Sequence, residues 1–89
     1  MFIPKGMTES RPLDFLNSVR NQRVFVELKN GWQITGILRA FDIHVNLVLT
    51  DAEAKKPVYS EEGEKTGYET VRTGNILIRG DTVRIVHGG

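Results

Sequence analysis

The spacing of hydrophobic residues changes period once along this chain. Leu13, Leu16 and Val19 recur at helical spacing behind Pro12, a residue suited to the first turn of a helix. This predicts a short helix ending near Arg20-Asn21, where Asn can close the C-terminus. From Arg23 onward the signals are for strands. Arg23–Leu28 alternates, with Val24, Val26 and Leu28 on one face. Asn30-Gly31 is a strong hairpin signal, and Gln33–Phe41 reads as the second strand, with Gly36 marking a bulge or sharp bend inside it. Val45–Thr50 reads as a third strand, Asn75–Ile78 as a fourth and Thr82–His87 as a fifth, with Val83 and Ile85 sharing a face. Arg79-Gly80-Asp81 makes the tight turn between the last two. Residues 51–73 turn polar and charged and suggest a long hairpin, with Tyr59, Tyr68 and Val71 continuing the strands into its stem.

A helix followed by five short antiparallel strands predicts a mostly β domain, a small and strongly bent barrel with Gly36 at a corner. Residues 1–11, aperiodic and holding Pro and Gly, are expected to be a flexible tail, and 12–89 a single domain. A chain of 89 residues buries only roughly 60–65% of its unfolded surface, so the core is thin and the strand edges are exposed. There are no cysteines to staple it and only two histidines, His44 and His87. Oligomerisation is the remaining route to stability.

Three stretches carry candidate chemistry. They are Leu28-Lys29-Asn30-Gly31 with Gly36-Ile37-Leu38, then Phe41-Asp42-Ile43-His44-Val45-Asn46-Leu47-Val48-Leu49, and later Ile78-Arg79-Gly80-Asp81-Thr82-Val83. Taken singly, each reads as an ordinary turn: a loop histidine, an Asn satisfying backbone groups, an Arg–Asp surface pair. Taken in order at this spacing, they resemble the two sequence motifs of the Sm and Sm-like (LSm) RNA-binding proteins, at about residues 23–53 and 74–87. The Arg-Gly-Asp turn and His44 look most like the archaeal branch and less like the bacterial hexameric one.

The resemblance implies an N-terminal helix stacked on a five-stranded, SH3-like bent barrel. It implies a homo-oligomeric ring, commonly a heptamer, in which the fourth strand of one subunit pairs with the fifth of the next. That would place Asn75, Ile76, Leu77 and Ile78, with Val83, Arg84, Ile85 and Val86, at subunit contacts. The two motif loops would face the pore and bind single-stranded, uridine-rich RNA. The base would lie between His44 and the Arg79 guanidinium, with Asn46 bonded to its edge. Asp81 would hold Asn46, Asp42 would support the loop, and Gly80 would let backbone approach the nucleotide. Such residue types suit the binding of a single strand, because bases stack on aromatic or guanidinium planes and an amide presents a donor beside an acceptor.

Charge refines this picture. The net charge of +1 excludes coating of duplex DNA by charge alone. A local site, repeated around a ring, would bind by multivalency. Trp32 and Phe41 are expected to pack, and Lys55 and Lys56 to be solvated hairpin charges with at most a weak outer RNA contact. No cofactor or metal is expected, and no catalysis, since there is no cysteine nucleophile, no serine elbow and no third ligand beside Asp42 and His44. No targeting or membrane-length apolar segment is visible, which predicts a cytoplasmic protein acting in RNA metabolism, as a chaperone or with other RNA-processing proteins. The alternative is a small-barrel protein-interaction scaffold without direct RNA binding.

Overall fold

The computed structural model describes residues 11–88. Residues 1–10, most of the expected tail, lie outside that range, and Arg11 already belongs to the helix. The elements are helix α1 (Arg11–Ser18) and strands β1 (Arg23–Leu28), β2 (Gln33–Phe41), β3 (Leu47–Tyr59), β4 (Lys65–Ile78) and β5 (Val83–Gly88), with a 3₁₀ turn, Gly80–Thr82, before β5. The five strands form one antiparallel sheet in the order β4-β3-β2-β1-β5, the mostly β, bent architecture expected.

α1 stops where Ser18 turns its hydroxyl back onto the Phe15 carbonyl at 2.6 Å. Asn21 then adopts a left-handed φ of 64° and donates its backbone N–H to the Leu38 carbonyl at 2.6 Å, which ties the helix exit to β2. Leu16 and Val19 are buried, seating the helix on the sheet. The Asn-Gly turn behaves as its chemistry requires. Gly31 takes a φ of 93°, its N–H donates to the Leu28 carbonyl, and the Asn30 Oδ1 accepts from the Trp32 N–H at 3.0 Å.

Val24, Val26, Leu38, Leu47 and Leu49 are wholly buried and form the centre of the core. Each contributes about 1.5–3 kcal/mol of transfer energy. Trp32 and Phe41 pack against this cluster, as expected. Bulges bend the sheet along β3, against β2 on one side and β4 on the other. The β2–β3 register shifts between Thr35 and Ile37 and again between Leu38 and Ala40. At Gly36 a methyl group would stand 3.0 Å from the Ala52 Cβ and 3.2 Å from the Leu49 Cβ, so no larger residue lets the strands come this close.

Three expectations need correction. The long hairpin expected at 51–73 is present, but the third and fourth strands do not stop at Thr50 or start at Asn75: β3 and β4 run to thirteen and fourteen residues and pair as far as Tyr59 and Lys65. This ribbon stretches the molecule to 50 × 31 × 20 Å. Val45 and Asn46 precede β3 rather than opening it. On β5, Val83 packs inward with Val86 while Ile85 is exposed. The cause is a register shift against β1, which pairs Glu27 with Ile85 but Leu28 with Val83, so the simple alternation fails.

Candidate functional site

Two turns meet at one end of the sheet. The first, between β2 and β3, is organised by one carboxylate. The Asp42 Oδ1 accepts from the backbone N–H groups of His44, at 2.9 Å, and Asn46, at 3.1 Å. Its Oδ2 accepts from the Asn46 side-chain amide at 3.0 Å. These donors, the Asn46 amide foremost, hold the Asp42 carboxyl below its usual pKa. The same contacts keep Val45 at a φ of 62°, a left-handed conformation costly for a β-branched residue. The Val45 N–H donates to the Asp42 carbonyl at 3.0 Å, and its side chain packs on the core.

The second turn is closed by Thr82, whose hydroxyl and backbone N–H both donate to the Arg79 carbonyl, at 2.6 and 3.0 Å. The Thr82 carbonyl accepts from the Lys29 N–H at 2.8 Å, anchoring this turn to the end of β1. The turns are joined by a 2.7 Å bond from the Gly80 N–H to the Asn46 Oδ1. A backbone N–H only donates and a carboxylate only accepts, so the Asn46 amide has a single allowed orientation.

His44, Asn46, Arg79, Gly80 and Asp81 line one open pocket of about 420 Å³. All five were legible as candidates, and Asp42 lies beneath them as support. Two expected roles change. Asp42, not Asp81, holds Asn46; the Asp81 carboxylate instead accepts from the Arg79 guanidinium at 3.3 Å. Both side chains of that pair are well exposed, so it orients the guanidinium and adds little stability. Gly80 is required by the opposite turn itself, because a methyl there would lie 1.8 Å from the His44 carbonyl oxygen. Val45 and Thr82 were missed. The spacing of Asp42 to Asn46, typical of a side chain bonding backbone a few residues ahead, was the available signal for the first turn.

A second pocket, of about 350 Å³ and largely apolar, opens beside the first, with Leu28, Trp32, Ile34, Ile76 and Leu77 in its walls and Arg79 shared between the two. β4 and β5, which carry the expected subunit contacts, form the opposite margins of the sheet, each with one paired neighbour. Leu77 is 66% exposed and Ile85 36%, whereas Ile78 is buried in the chain's own core and Arg84 pairs with Glu27. Ile76, Val83 and Val86 are half-buried, and Asn75 is exposed. Among the described residues, no three His, Cys, Asp or Glu side chains gather to hold a metal ion, and no helix is long and apolar enough to cross a membrane.

The chain matches the LSM domain model over residues 14–88. It is 46% identical over 77 residues to an snRNP Sm-like protein of Archaeoglobus fulgidus, covering 85% of this chain and 87% of that one. Among solved structures it resembles a heptameric archaeal Sm protein, with a TM-score of 0.67, 30% identity, and 85% of this chain and 97% of that one covered. It also resembles the Pyrococcus abyssi Sm protein solved in complex with a uridine heptamer, with a TM-score of 0.66, 37% identity, and 89% and 99% covered. A family match over nearly all of the described residues, supported by a relative of similar length and by archaeal structures of the same fold, establishes that the chain belongs to the Sm-like (LSM) family.

Proposed function

We propose that this protein closes into a ring of seven identical subunits and binds single-stranded, uridine-rich RNA, one base per subunit, in the pocket between its two turns. The observation that carries this reading is the Asn46 amide, held by Asp42 on one side and the Gly80 N–H on the other. One amide hydrogen and one lone pair remain uncommitted by these bonds. Uracil offers an N–H donor beside a carbonyl acceptor and can satisfy both. Cytosine and adenine present the opposite order on that edge, so a base held by stacking in the same pose would leave polar groups unpaired, the stronger form of discrimination.

The His44 ring and the Arg79 guanidinium line the same pocket and supply planar faces above and below the base. Each stacked base contributes about 1–3 kcal/mol. Asp81 restrains the guanidinium, so Arg79 is partly pre-oriented before RNA arrives. The heptameric archaeal Sm structure and the uridine-heptamer complex of the Pyrococcus protein support both the copy number and the ligand. In the ring, β4 of one subunit adds to β5 of the next, pairing both free margins and covering Leu77 and Ile85. Repetition around a pore converts weak sites into strong binding, which suits a nearly neutral subunit. The ring is a non-catalytic, cytoplasmic component of RNA metabolism, acting as a chaperone or a platform for RNA-processing proteins.

Native mass spectrometry combined with binding to oligo-uridine and oligo-adenosine tests this. A heptamer preferring uridine is expected. His44→Ala, Asn46→Ala and Arg79→Ala are each expected to weaken binding while the ring persists. A monomer, or a ring whose RNA affinity ignores all three changes, would refute the proposal.

A further inference from the structure

The β3–β4 ribbon has two unlike faces. Paired residues in an antiparallel ladder share a face, so Glu53 with Arg72, Lys55 with Thr70, Pro57 with Tyr68 and Tyr59 with Lys65 project together. Ala54, Lys56 and Val58 take the other face, and Ala54 is buried in the core, which makes this the inner side. The outer face therefore carries three cations, Lys55, Lys65 and Arg72, against one acid, Glu53. Among the described residues, neither Lys55 nor Arg72 has a carboxylate within ion-pair distance. Tyr59 is 57% exposed on this face. Tyr68 stands beside it, its hydroxyl held by the Lys65 ammonium at 3.0 Å and the Gln33 amide at 3.4 Å. Other acids are Glu69 on the inner face, Glu61, Glu62 and Glu64 around the tip, and Glu27 of β1, which shares the outer face through Gln33 and is paired with Arg84.

The placement of this face matters. β3 leaves the pocket at Leu47 and β4 returns to it at Ile78, so the ribbon is a continuous track leading away from the base-binding turns. We infer that its outer face is a second contact for single-stranded RNA, taking the backbone on Lys55 and Arg72 and an unstacked base on Tyr59 as the strand departs from the pocket. Positive side chains tracking a strand, with aromatic rings between them, are what sequence-tolerant single-strand binding uses. The acidic tip marks where the track ends. This second contact shares with the proposed pocket only the class of ligand.

The test compares oligo-uridine of heptamer length with a strand of about 20 nucleotides, long enough to leave the pocket, on the intact assembled protein. The variants are Lys55→Glu/Arg72→Glu and, separately, Tyr59→Ala. The expected result is a loss of at least about tenfold on the long strand, with the heptamer within about twofold of wild type. For the charge variant, the salt dependence should also fall by about 1.4 in log–log slope, two phosphate contacts' worth on a single strand. Equal losses at both lengths, no loss at either, or a wild type that gains nothing from the longer strand would each overturn it. So would capture of an acidic peptide by the ribbon with long-strand affinity unchanged by the variants. If the heptamer fails to bind at all while long-strand binding depends on Lys55 and Arg72, the ribbon contact stands and the pocket reading falls.

Discussion

Gly80→Ala isolates the contact between the two turns. Gly80 has an ordinary, negative φ, so alanine meets no backbone strain there, and any penalty must come from what its methyl touches. That methyl would stand 1.8 Å from the His44 carbonyl oxygen and 2.9 Å from the carbonyl carbons of His44 and Val45. These are backbone atoms, tied down by the bonds that Asp42 accepts and by the left-handed Val45, and they have no rotamer by which to escape. If the turns hold together, the crowding costs about 1–3 kcal/mol. If they part, the 2.7 Å bond from Gly80 to Asn46 is lost, at about 0.5–1.5 kcal/mol net, and the pocket loses its fixed amide.

Thermal unfolding and oligo-uridine binding read the two branches. A crowding loss of about 1–3 kcal/mol would lower the transition of a domain this size by at least about 4 °C. A smaller thermal loss should come with collapse of uridine affinity. Gly63→Ala is the control. Gly63 lies at the ribbon tip with a φ of 87° and nothing within 4 Å, so alanine there should cost about 1–2 kcal/mol in backbone strain and leave RNA binding alone. A Gly80→Ala protein with both transition and affinity unchanged would refute this account of the contact.

Two further outcomes follow from the site and the core. The pKa of Asp42 is lowered on folding, so its contribution is complete above the usual carboxylate range and is lost as pH falls through the lowered value. Uridine affinity should accordingly hold from neutral pH down to the usual carboxylate range and decline below it, with Asp42→Asn weak at every pH; an affinity profile against pH that keeps its full value in strong acid would contradict this. Leu38→Ala, at a wholly buried position beneath the β2 bend, should cost about 2–5 kcal/mol by denaturant unfolding, and a loss under about 1 kcal/mol would show that the bend can collapse around the cavity.

Much of this was legible in the residues because local and global preferences agree. Val24 and Val26 alternate into the core, Asn30-Gly31 turns as its chemistry dictates, and Leu16 and Val19 seat the helix. The motif loops were legible as a set, and the pocket is lined by five of the six residues expected at the site, with Asp42 bonded to Asn46. What escaped notice depends on specific partners, some of them far along the chain. Val45 looks like a strand residue and becomes a strained turn residue only under Asp42. The residue of β5 that packs inward with Val83 is Val86, not Ile85, because of a register shift against β1. Gly80 owes its identity to a carbonyl thirty-six positions earlier, at His44. The polar composition of 51–73 hid how far its strands run, because beyond Ala54 the ribbon is largely exposed on both faces and needs no alternating apolar pattern.

The two margins of the sheet differ in length: β4 has fourteen residues and β5 six. Joining them between copies is a head-to-tail contact, which has no closure of its own. Repeated, it forms a circle if the turn per copy divides evenly into one, and otherwise winds into an open filament. The turn per copy depends on how sharply the sheet folds between β4 and β5, and Gly36, close against Ala52, lies within that span. The number of subunits is in this sense encoded far from the surface that joins them, so a side chain added at Gly36 could change a circle into a fibre without altering a single residue at the contact.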